Sequence, residues 1–294
     1  MPVDSFKWLP RSIAAYYQAM QVPEPESIPW SPLRKPVEEC RVALLTTAGL
    51  YVKEEQPSFD LDRERREPLW GDPSYRVIPT DVRQEQIGVA HLHINPEDIA
   101  ADVNIVLPVR RFQELVEAGE VGALAPHHYS FMGYQQDHLE WSERYGPEVA
   151  QRMVEEEVDV ALLTPALPDC TRSLPVLARA IEAVGISTVL VTMMPCWAEK
   201  LGTPRTLGVE FPFGHPLGRA GERDEQLAVI RRALQVLQEA SQPGAIEHFE
   251  RSWEGDADEW RRRWQPLEAS PIIKLMRDRA QQQARERREG DTTA

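Results

Sequence analysis

Cys170 is the residue of this chain that is best placed to do chemistry. Residues 158–163 are almost all apolar and predict a buried parallel strand, and apolar residues at helical spacing after Cys170 predict a helix that stops at Gly185. We therefore expect the thiol between the carboxyl end of a strand and the first turn of a helix, which is where open α/β sheets bind ligands. The positive end of the helix and Arg172 favour the thiolate, whereas Asp169 opposes it. The alternative is that Cys170 is a small apolar residue packed under a loop.

Two histidines, His91 and His93, lie in a segment, residues 88–94, that we interpret as a strand. Side chains two residues apart on a strand point to the same side, and this spacing is common among metal ligands. Together with a carboxylate such as Asp102, the two imidazoles would suit a zinc or iron ion. The alternatives are a hydrogen-bonded pair without a metal, and an acid–base role beside a nucleophile, for which we consider His91, His93 and His128. Further residues with suitable donor atoms are Asp98, His127 and His138.

Polar side chains in the loops that follow predicted strands are candidates for binding a substrate carboxylate. In a parallel sheet such loops share one edge, so we expect them to converge. The candidate substrate-binding residues are Thr46, Thr47, Thr171, Arg172 and His215. The alternative for the threonines is that they are ordinary turn hydroxyls, and for His215 that it is a capped loop histidine. Cys196 follows the next predicted strand and is the candidate second thiol.

Strand and helix patterns alternate along the chain, which is typical of an α/β protein with a doubly wound, mostly parallel sheet. The pattern divides into two halves, and we consider an arrangement in which each half is Rossmann-like. The expected segments are a proline- and aromatic-rich arm at 1–38, a first α/β half at 39–145, a second α/β half with the Cys170 loop at 146–276, and a charged, disordered tail at 277–294. Residues 54–74 are charged and contain prolines, which predicts a long surface loop of the kind that forms lids.

Composition excludes several classes of protein. The formal net charge of −14 over 294 residues argues against nucleic acid as a partner. Three cysteines without a CxxC spacing indicate neither a disulfide framework nor a zinc ribbon, and a reduced, cytoplasmic compartment fits them. The sequence contains no apolar signal core and no run of membrane-spanning length, so we expect no membrane association. No glycine-rich nucleotide motif follows a strand, and we predict no cofactor beyond the zinc or iron ion considered above.

Several segments together resemble the selenoprotein B component of glycine/sarcosine/betaine reductase and its D-proline reductase relatives. The resemblance covers most of the chain from residue 41 to residue 233. The segments that carry it are VALLTTAG (42–49), DVNIVLP (102–108), ELVEAGEVG (114–122), APHHYSFMG (125–133), the Cys170 segment (164–173) and GHPLG (214–218).

The resemblance implies an enzyme related to reductases that cleave a C–N bond next to a carboxylate. In that family a selenocysteine lies three residues before a cysteine that precedes Thr-Arg, and Cys170 matches this cysteine. Leu167 stands at the selenocysteine position and Ser173 at the position of a second family cysteine, so the chain is similar to selenium-free paralogues. A thiolate at Cys170 would then be the nucleophile, and Cys196 or an external thiol would resolve the adduct.

Three functions are consistent with these observations. The first is a selenium-free, oxidoreductase-like enzyme that acts through Cys170 on a C–N or C–S bond of a small carboxylate or amine substrate, with a thiol-carrying partner protein. The second is a metal-dependent lyase or hydrolase built on His91 and His93. The third is a non-catalytic subunit of a reductase-like complex. In each case the arm and the C-terminal helix suit a homo-oligomer.

Overall fold

The computed structural model of the chain describes residues 2–22 and 24–292, and within them the chain forms ten strands and ten α-helices. The strands are β1 Arg41–Thr46, β2 Leu50–Val52, β3 Tyr75–Pro79, β4 Ile87–Val89, β5 Ala123–Leu124, β6 His127–Phe131, β7 Val160–Thr164, β8 Ser187–Thr192, β9 Arg205–Glu210 and β10 Ala245–Ser252. The helices are α1 Arg11–Ala19, α2 Leu61–Arg66, α3 Glu97–Ala101, α4 Val109–Glu117, α5 Gly146–Glu155, α6 Pro168–Ala183, α7 Pro195–Lys200, α8 Arg223–Glu239, α9 Ala257–Arg263 and α10 Pro271–Thr292.

The main sheet has the strand order β10-β9-β8-β7-β1-β6-β3, with the short β5 beside β1. Its pairs are parallel except for β3, which runs antiparallel to β6 at one edge. Because side chains alternate between the two faces of a strand, Val42 and Leu44 of β1 join the core on one face, and Ala43 and Leu45 join the core on the other. Helices α5 and α6 cover the second face, and α8 covers the first. The structure is therefore the predicted α/β type, a mostly parallel sheet covered on both faces.

The chain builds this sheet outwards from β1 in two directions. Strands β5 and β6 lie on one side of β1, whereas β7, β8, β9 and β10 follow one another on the other side. The strand order therefore reverses between β1 and β7, and a reversal of this kind opens a crevice at the carboxyl ends of the strands. The two predicted halves do not form separate sheets, because β1 pairs directly with β7 from Val42 to Thr46.

Four segments differ from the sequence prediction. Residues 54–74, interpreted as a long surface loop, contain α2. Residues 125–133, interpreted as a loop, contain β6, because polar side chains such as His128 and Ser130 are buried inside the sheet and hide the usual strand pattern. The strand predicted at 88–94 ends at Val89, so His91 and His93 lie in the loop beyond it. The charged segment after Arg277, for which the sequence predicts disorder, continues α10, since its Gln, Arg and Glu residues are good helix formers.

The N-terminal arm is folded onto the carboxyl edge of the sheet. Trp8 is 3% exposed, and its carbonyl accepts a hydrogen bond of 2.8 Å from Trp264 Nε1. Ser5 Oγ accepts one of 3.4 Å from the backbone N–H of Cys196, and Lys7 forms an ion pair with Glu210 at the end of β9. The arm therefore belongs to the wall of the crevice.

A buried ion pair holds the later part of the arm. Arg205 Nη1 lies 2.6 Å from Glu182 Oε1, and both side chains are fully buried. Arg205 also donates a hydrogen bond of 2.6 Å to the carbonyl of Ser31, and its guanidinium lies 3.6 Å from the centre of the Trp30 ring. Burial raises the pKa of Glu182, while Arg205 opposes that rise. The pair thus links β9 and α6 to residues that precede β1.

Candidate active site

Loops from four strands meet around Cys170. The Sγ atom donates a hydrogen bond of 3.4 Å to the carbonyl of Thr47, which follows β1, and the N–H of Gly133, which follows β6, donates to the same carbonyl at 3.2 Å. The N–H of Gly214, in the loop after β9, donates at 2.6 Å to the carbonyl of Ala166, which follows β7. Cys170 therefore lies where the order of the strands reverses, as expected for a ligand site in this fold.

The Cys170 side chain itself is buried. It lies in the first turn of α6, as predicted, but it is 0% exposed and belongs to the apolar core. A Cβ atom added to Gly133 would overlap the sulfur, so the glycine is what allows this close packing. Burial raises the pKa of the thiol to about 11, and contacts with Thr47 and with the backbone of Ala166 and Leu167 lower it by less. The expected thiolate is therefore a buried thiol in this conformation, because desolvation outweighs the helix start.

The predicted threonines differ in whether they have free hydrogen-bonding capacity. Thr46 Oγ1 donates to the carbonyl of Thr164 at 3.2 Å, and Thr171 Oγ1 donates to the carbonyl of Pro168 at 2.6 Å. These two hydroxyls are bonded to the backbone, Thr46 across to β7 and Thr171 within the first turn of α6. Thr47 Oγ1, beside the sulfur, is buried and has no partner among the described residues.

Arg172 faces the loop after β6 rather than open solvent. Its Nη2 donates at 2.9 Å to the carbonyl of Gln135, and it lies 3.5 Å from Asp169 Oδ1. Its Nε is buried without a partner in the described part of the chain. Thr47 and Arg172 are thus the predicted substrate-binding residues that keep unused polar atoms near Cys170.

The two histidines of the predicted metal pair are bound to protein groups. His93 Nε2 lies 2.5 Å from Glu64 Oε1, and the His93 ring stacks on Tyr134 with 3.9 Å between ring centres. His91 Nδ1 accepts a hydrogen bond of 3.2 Å from the His93 N–H. Burial, and next the neighbouring His93, hold the pKa of His91 well below its ordinary value. Glu64 lies in the charged loop that the sequence marks as a lid, but nothing in its local pattern distinguishes it from the other acidic residues there.

Asp102 does not complete a metal site with these histidines. Its carboxylate accepts hydrogen bonds from the N–H groups of Asn104 and Gly221, at 3.0 and 2.9 Å, and from Gln226 Nε2 at 2.7 Å. Burial opposes its ionisation, but these bonds hold its pKa below the ordinary value. Within residues 2–22 and 24–292, no three His, Cys, Asp or Glu side chains are arranged to hold a metal ion. Within the described residues the structure therefore does not bring His91, His93 and Asp102 together as one set of ligands.

His128, a predicted acid–base residue, lies inside the sheet and is bonded to the backbone of β1. Its Nδ1 accepts a hydrogen bond of 3.1 Å from the backbone N–H of Leu44, and its Nε2 lies 3.1 Å from Thr80 Oγ1. The imidazole thus fills the gap in the β1 ladder between the partners β5 and β6. Burial lowers its pKa to about 3. Among the described residues, no histidine is hydrogen-bonded to the Cys170 sulfur.

His215 anchors the loop after β9. Its Nε2 lies 3.2 Å from Asp98 Oδ2, which also receives Arg263, and its ring packs edge-on against Trp253 and Trp260. The side chain is 4% exposed. This arrangement matches the alternative of a capped loop histidine and leaves no unused nitrogen for the predicted substrate contact, since Nδ1 lies 3.2 Å from the carbonyl of Phe213.

Two further residues lie beside the Cys170 loop: Tyr17, which sequence reasoning missed, and His138, which it considered only as a possible metal ligand. Tyr17 of α1 is 4% exposed, packs edge-on against Trp197, and interacts through its hydroxyl with Asp169. His138 Nε2 lies 3.1 Å from Ser173 Oγ, and burial, followed by the charge of Arg172, lowers the His138 pKa to about 4. Tyr17 is one of several aromatic residues in a segment without a strong pattern, so no local signal marks it.

Fold and site together define an α/β protein with a cysteine at the switch point of its sheet. Residues 13–166 match the family model described as glycine/sarcosine/betaine reductase selenoprotein B. The chain is 34% identical over 217 residues to the D-proline reductase subunit gamma of Acetoanaerobium sticklandii, an alignment that covers 74% of this chain and 86% of that protein. The chain therefore belongs to the glycine/sarcosine/betaine reductase selenoprotein B family.

Other relatives are more distant and longer. The glycine reductase complex component B subunit gamma of Symbiobacterium thermophilum is 26% identical over 76% of this chain, and the sarcosine reductase complex component B subunit beta of Peptoclostridium acidaminophilum is 24% identical over 72% of it. The alignments span 52% and 49% of those two proteins, so this chain covers about half of their length. No solved structure matches the chain. None of the described helices is both long and apolar enough to cross a membrane.

Proposed function

We propose that the chain is a selenium-free, reductase-type subunit that acts on a small carboxylate- and amine-bearing substrate through the Cys170 thiol. In this reaction the sulfur would form a bond to the substrate carbon while a C–N or C–S bond breaks and the thiol proton leaves with the departing group. The observation that carries the proposal is the position of Cys170. It lies in the first turn of α6, at the reversal of the strand order, and is hydrogen-bonded to the loop after β1.

Family membership supports a role within an assembly. The relatives described above are named as subunits of D-proline, glycine and sarcosine reductases. We therefore propose a thiol-carrying partner protein whose sulfur attacks the Cys170 sulfur of the adduct. The S–C bond then breaks, the carbon takes the thiol proton, and the resulting mixed disulfide is reduced by an external dithiol. Leu167 leaves Cys170 as the nucleophile of this loop, so a second thiol has to come from Cys196 or from the partner.

Thiol chemistry requires that the buried sulfur be uncovered. The N-terminal arm is the segment that lies over the Cys170 loop, through Tyr17, which contacts Asp169 and Trp197. Helix α1 has no side-chain cap at its N-terminus and is half exposed along its length. Segments with few buried contacts open at lower free energy than the core, so we propose that displacement of the arm gives access to Cys170.

Cysteine alkylation tests this function with an internal control. Cys40 is as buried as Cys170 and burial raises its pKa to the same value, about 11. Its sulfur contacts the carbonyls of Lys35 and Pro36, just before β1, at the opposite edge of the sheet from helix α1. We expect iodoacetamide to modify Cys170 about tenfold faster than Cys40, since an opening that is 1.4 kcal/mol easier gives a tenfold rate. Peptide mass spectrometry over a time course measures both rates. In the assembled complex, Cys170→Ser should abolish turnover, whereas Cys40→Ser should retain it.

The second candidate is a non-catalytic subunit of a reductase-like complex. The observation that favours it is the buried, protonated state of the one thiol in a loop whose selenocysteine position is Leu167. A non-catalytic role predicts that Cys170 and Cys40 are alkylated equally slowly. It also predicts that Cys170→Ser leaves the turnover of the complex unchanged. Those two results together would replace the first proposal by the second.

A further inference from the structure

Glu64 is a buried carboxylate with one oxygen left unbonded. It is 1% exposed, although the other charged residues of the short helix α2 are exposed to solvent. Its Oε1 is bonded to His93, and its Oε2 has no partner among the described residues. A buried carboxylate oxygen is costly to leave unpaired, so it is either a strained feature or half of an unfilled site.

A second unpaired atom lies on the other side of His93. His91 Nδ1 accepts the hydrogen bond from the His93 N–H, so in the neutral ring the proton is on Nε2. This Nε2–H is buried and has no acceptor in the described part of the chain. The His91 and His93 rings are 5.7 Å apart, and Glu64 is bonded directly to His93. An unpaired donor and an unpaired acceptor therefore flank one imidazole.

Two chain segments connect this pair of atoms to the sulfur. Tyr134, whose ring stacks on His93, directly follows Gly133, against which Cys170 Sγ packs. On the other side, Gly49 lies two residues after Thr47, and a Cβ atom at Gly49 would be 3.7 Å from His91 Cβ. The buried Thr47 hydroxyl between these segments is also unpaired. His91 and His93 thus pack against the two chain segments that also contact the thiol.

We propose that Glu64 and His91 bind opposite ends of the substrate at the Cys170 site. Glu64 Oε2 accepts an N–H of the ligand's amine, the His91 Nε2–H donates to its carboxylate, and His93 holds Glu64 in place. The ligand class is a small amino acid with at least one N–H on its amine. This inference rests on the proposed function and adds to it the residues that select the substrate.

The chemistry of the three side chains sets the selectivity. A carboxylate recognises a protonated amine by charge and by a directional N–H donor, and charge-assisted bonds are stronger than neutral ones. A quaternary ammonium group supplies the charge but no N–H, so it would leave the acceptor on Glu64 unpaired. Sites built around a hydrogen bond discriminate strongly against analogues that lack the bonding group.

Calorimetric titration of the Cys170→Ser protein tests the site without its proposed nucleophile. The probes are sarcosine and D-proline, which carry an N–H, and betaine, which does not. We expect sarcosine or D-proline to bind more tightly than betaine, and Glu64→Gln to weaken the tighter probe about tenfold or more. The control Glu67→Gln alters an exposed residue just after α2 that pairs with Arg63, and should change nothing. Thermal melting of Glu64→Gln checks folding, which should persist because the amide oxygen can still accept from His93.

The outcomes separate this inference from the proposed function. Equal affinities for the Cys170→Ser protein with and without Glu64→Gln, or no binding of any of the three probes, would overturn the role of Glu64. That result is expected if only a water molecule bridges Glu64 Oε2 and the His91 Nε2–H. If the N–H probes bind through Glu64 while Cys170 is alkylated as slowly as Cys40, the binding site stands and the catalytic role of the thiol fails.

Discussion

At the scale of single residues, burial decides the protonation of the groups around the candidate site. It raises the pKa of Cys170 to about 11 and lowers those of His128 and His138 to about 3 and 4. In each case desolvation penalises the charged form, so the neutral form is present at pH 7. The helix start and Arg172, which the sequence shows clearly, are weaker influences on the thiol than the loss of water, which the sequence does not show.

The histidine inside the sheet makes the protein sensitive to acid. His128 has a folded-state pKa of about 3, below its ordinary value, so the unfolded chain binds the proton more readily. Its contribution is fully present above about pH 6.5 and is lost as the pH falls towards 3, a loss of up to about 5 kcal/mol. Urea unfolding between pH 7 and pH 4 should show this decline in the native protein and much less of it in His128→Gln, whose amide can still bond Leu44. The half-exposed neighbour provides the control, since His127→Gln should keep the decline; equal slopes in all three proteins would contradict the assignment.

Residue identity alone predicted the location of the site better than the role of each side chain. Cys170, Thr47 and Arg172 do meet at the carboxyl edge of the sheet, because the strand and helix patterns around them are strong. The partners of His93 and His128 could not be predicted, since each is bonded to a residue distant in the chain. A histidine spacing common among metal ligands occurs here in a loop in which His93 Nε2 bonds Glu64 and His91 Nδ1 bonds the His93 N–H.

At the scale of secondary-structure elements, the apolar strands were predictable and the polar one was not. Strands β1, β7 and β8 are buried throughout and read as continuous apolar segments. Strand β6 is equally buried but carries His128 and Ser130, whose side chains bond the backbone of Leu44 and Leu50. A polar side chain that replaces a missing ladder bond looks like a loop residue in sequence, and this is why the strand was missed.

The buried ion pair between Arg205 of β9 and Glu182 of α6 should contribute more to the free energy of unfolding than a surface ion pair does. Arg205→Met leaves the Glu182 carboxylate buried without its cation, for which we expect a loss of about 3–5 kcal/mol in the free energy of unfolding. The surface arginine Arg232 pairs with Glu239 and Glu247, and Arg232→Met should lose less than about 1 kcal/mol. Urea denaturation of the two variants gives the comparison. Similar losses of unfolding free energy in both variants would mean that the buried ion pair stabilises the protein no more than the surface pair does.

At the scale of the whole molecule, closure of the crevice depends on contacts between the two ends of the chain. Trp8 and Lys7 of the arm accept hydrogen bonds from Trp264 and Arg261, which lie in and just after α9. Tyr17 then reaches the Cys170 loop in the middle of the sequence. Such contacts are invisible to local sequence patterns, which is why the sequence left open whether the thiol is reachable or packed under a loop, whereas in the fold it is buried.

If this closure controls access, weakening it should expose one cysteine and not the other. Tyr17→Phe removes the hydroxyl that interacts with Asp169 but keeps the ring packed against Trp197, so we expect Cys170 to be alkylated about two- to tenfold faster, the range expected for one lost hydrogen bond. Tyr16→Phe changes the exposed neighbour and should leave the rate unchanged. Cys40 should react at the same rate in all three proteins, because it lies at the opposite edge of the sheet. An acceleration of Cys40 equal to that of Cys170 would show general destabilisation, and no acceleration at Cys170 would show that the arm does not limit access to the thiol.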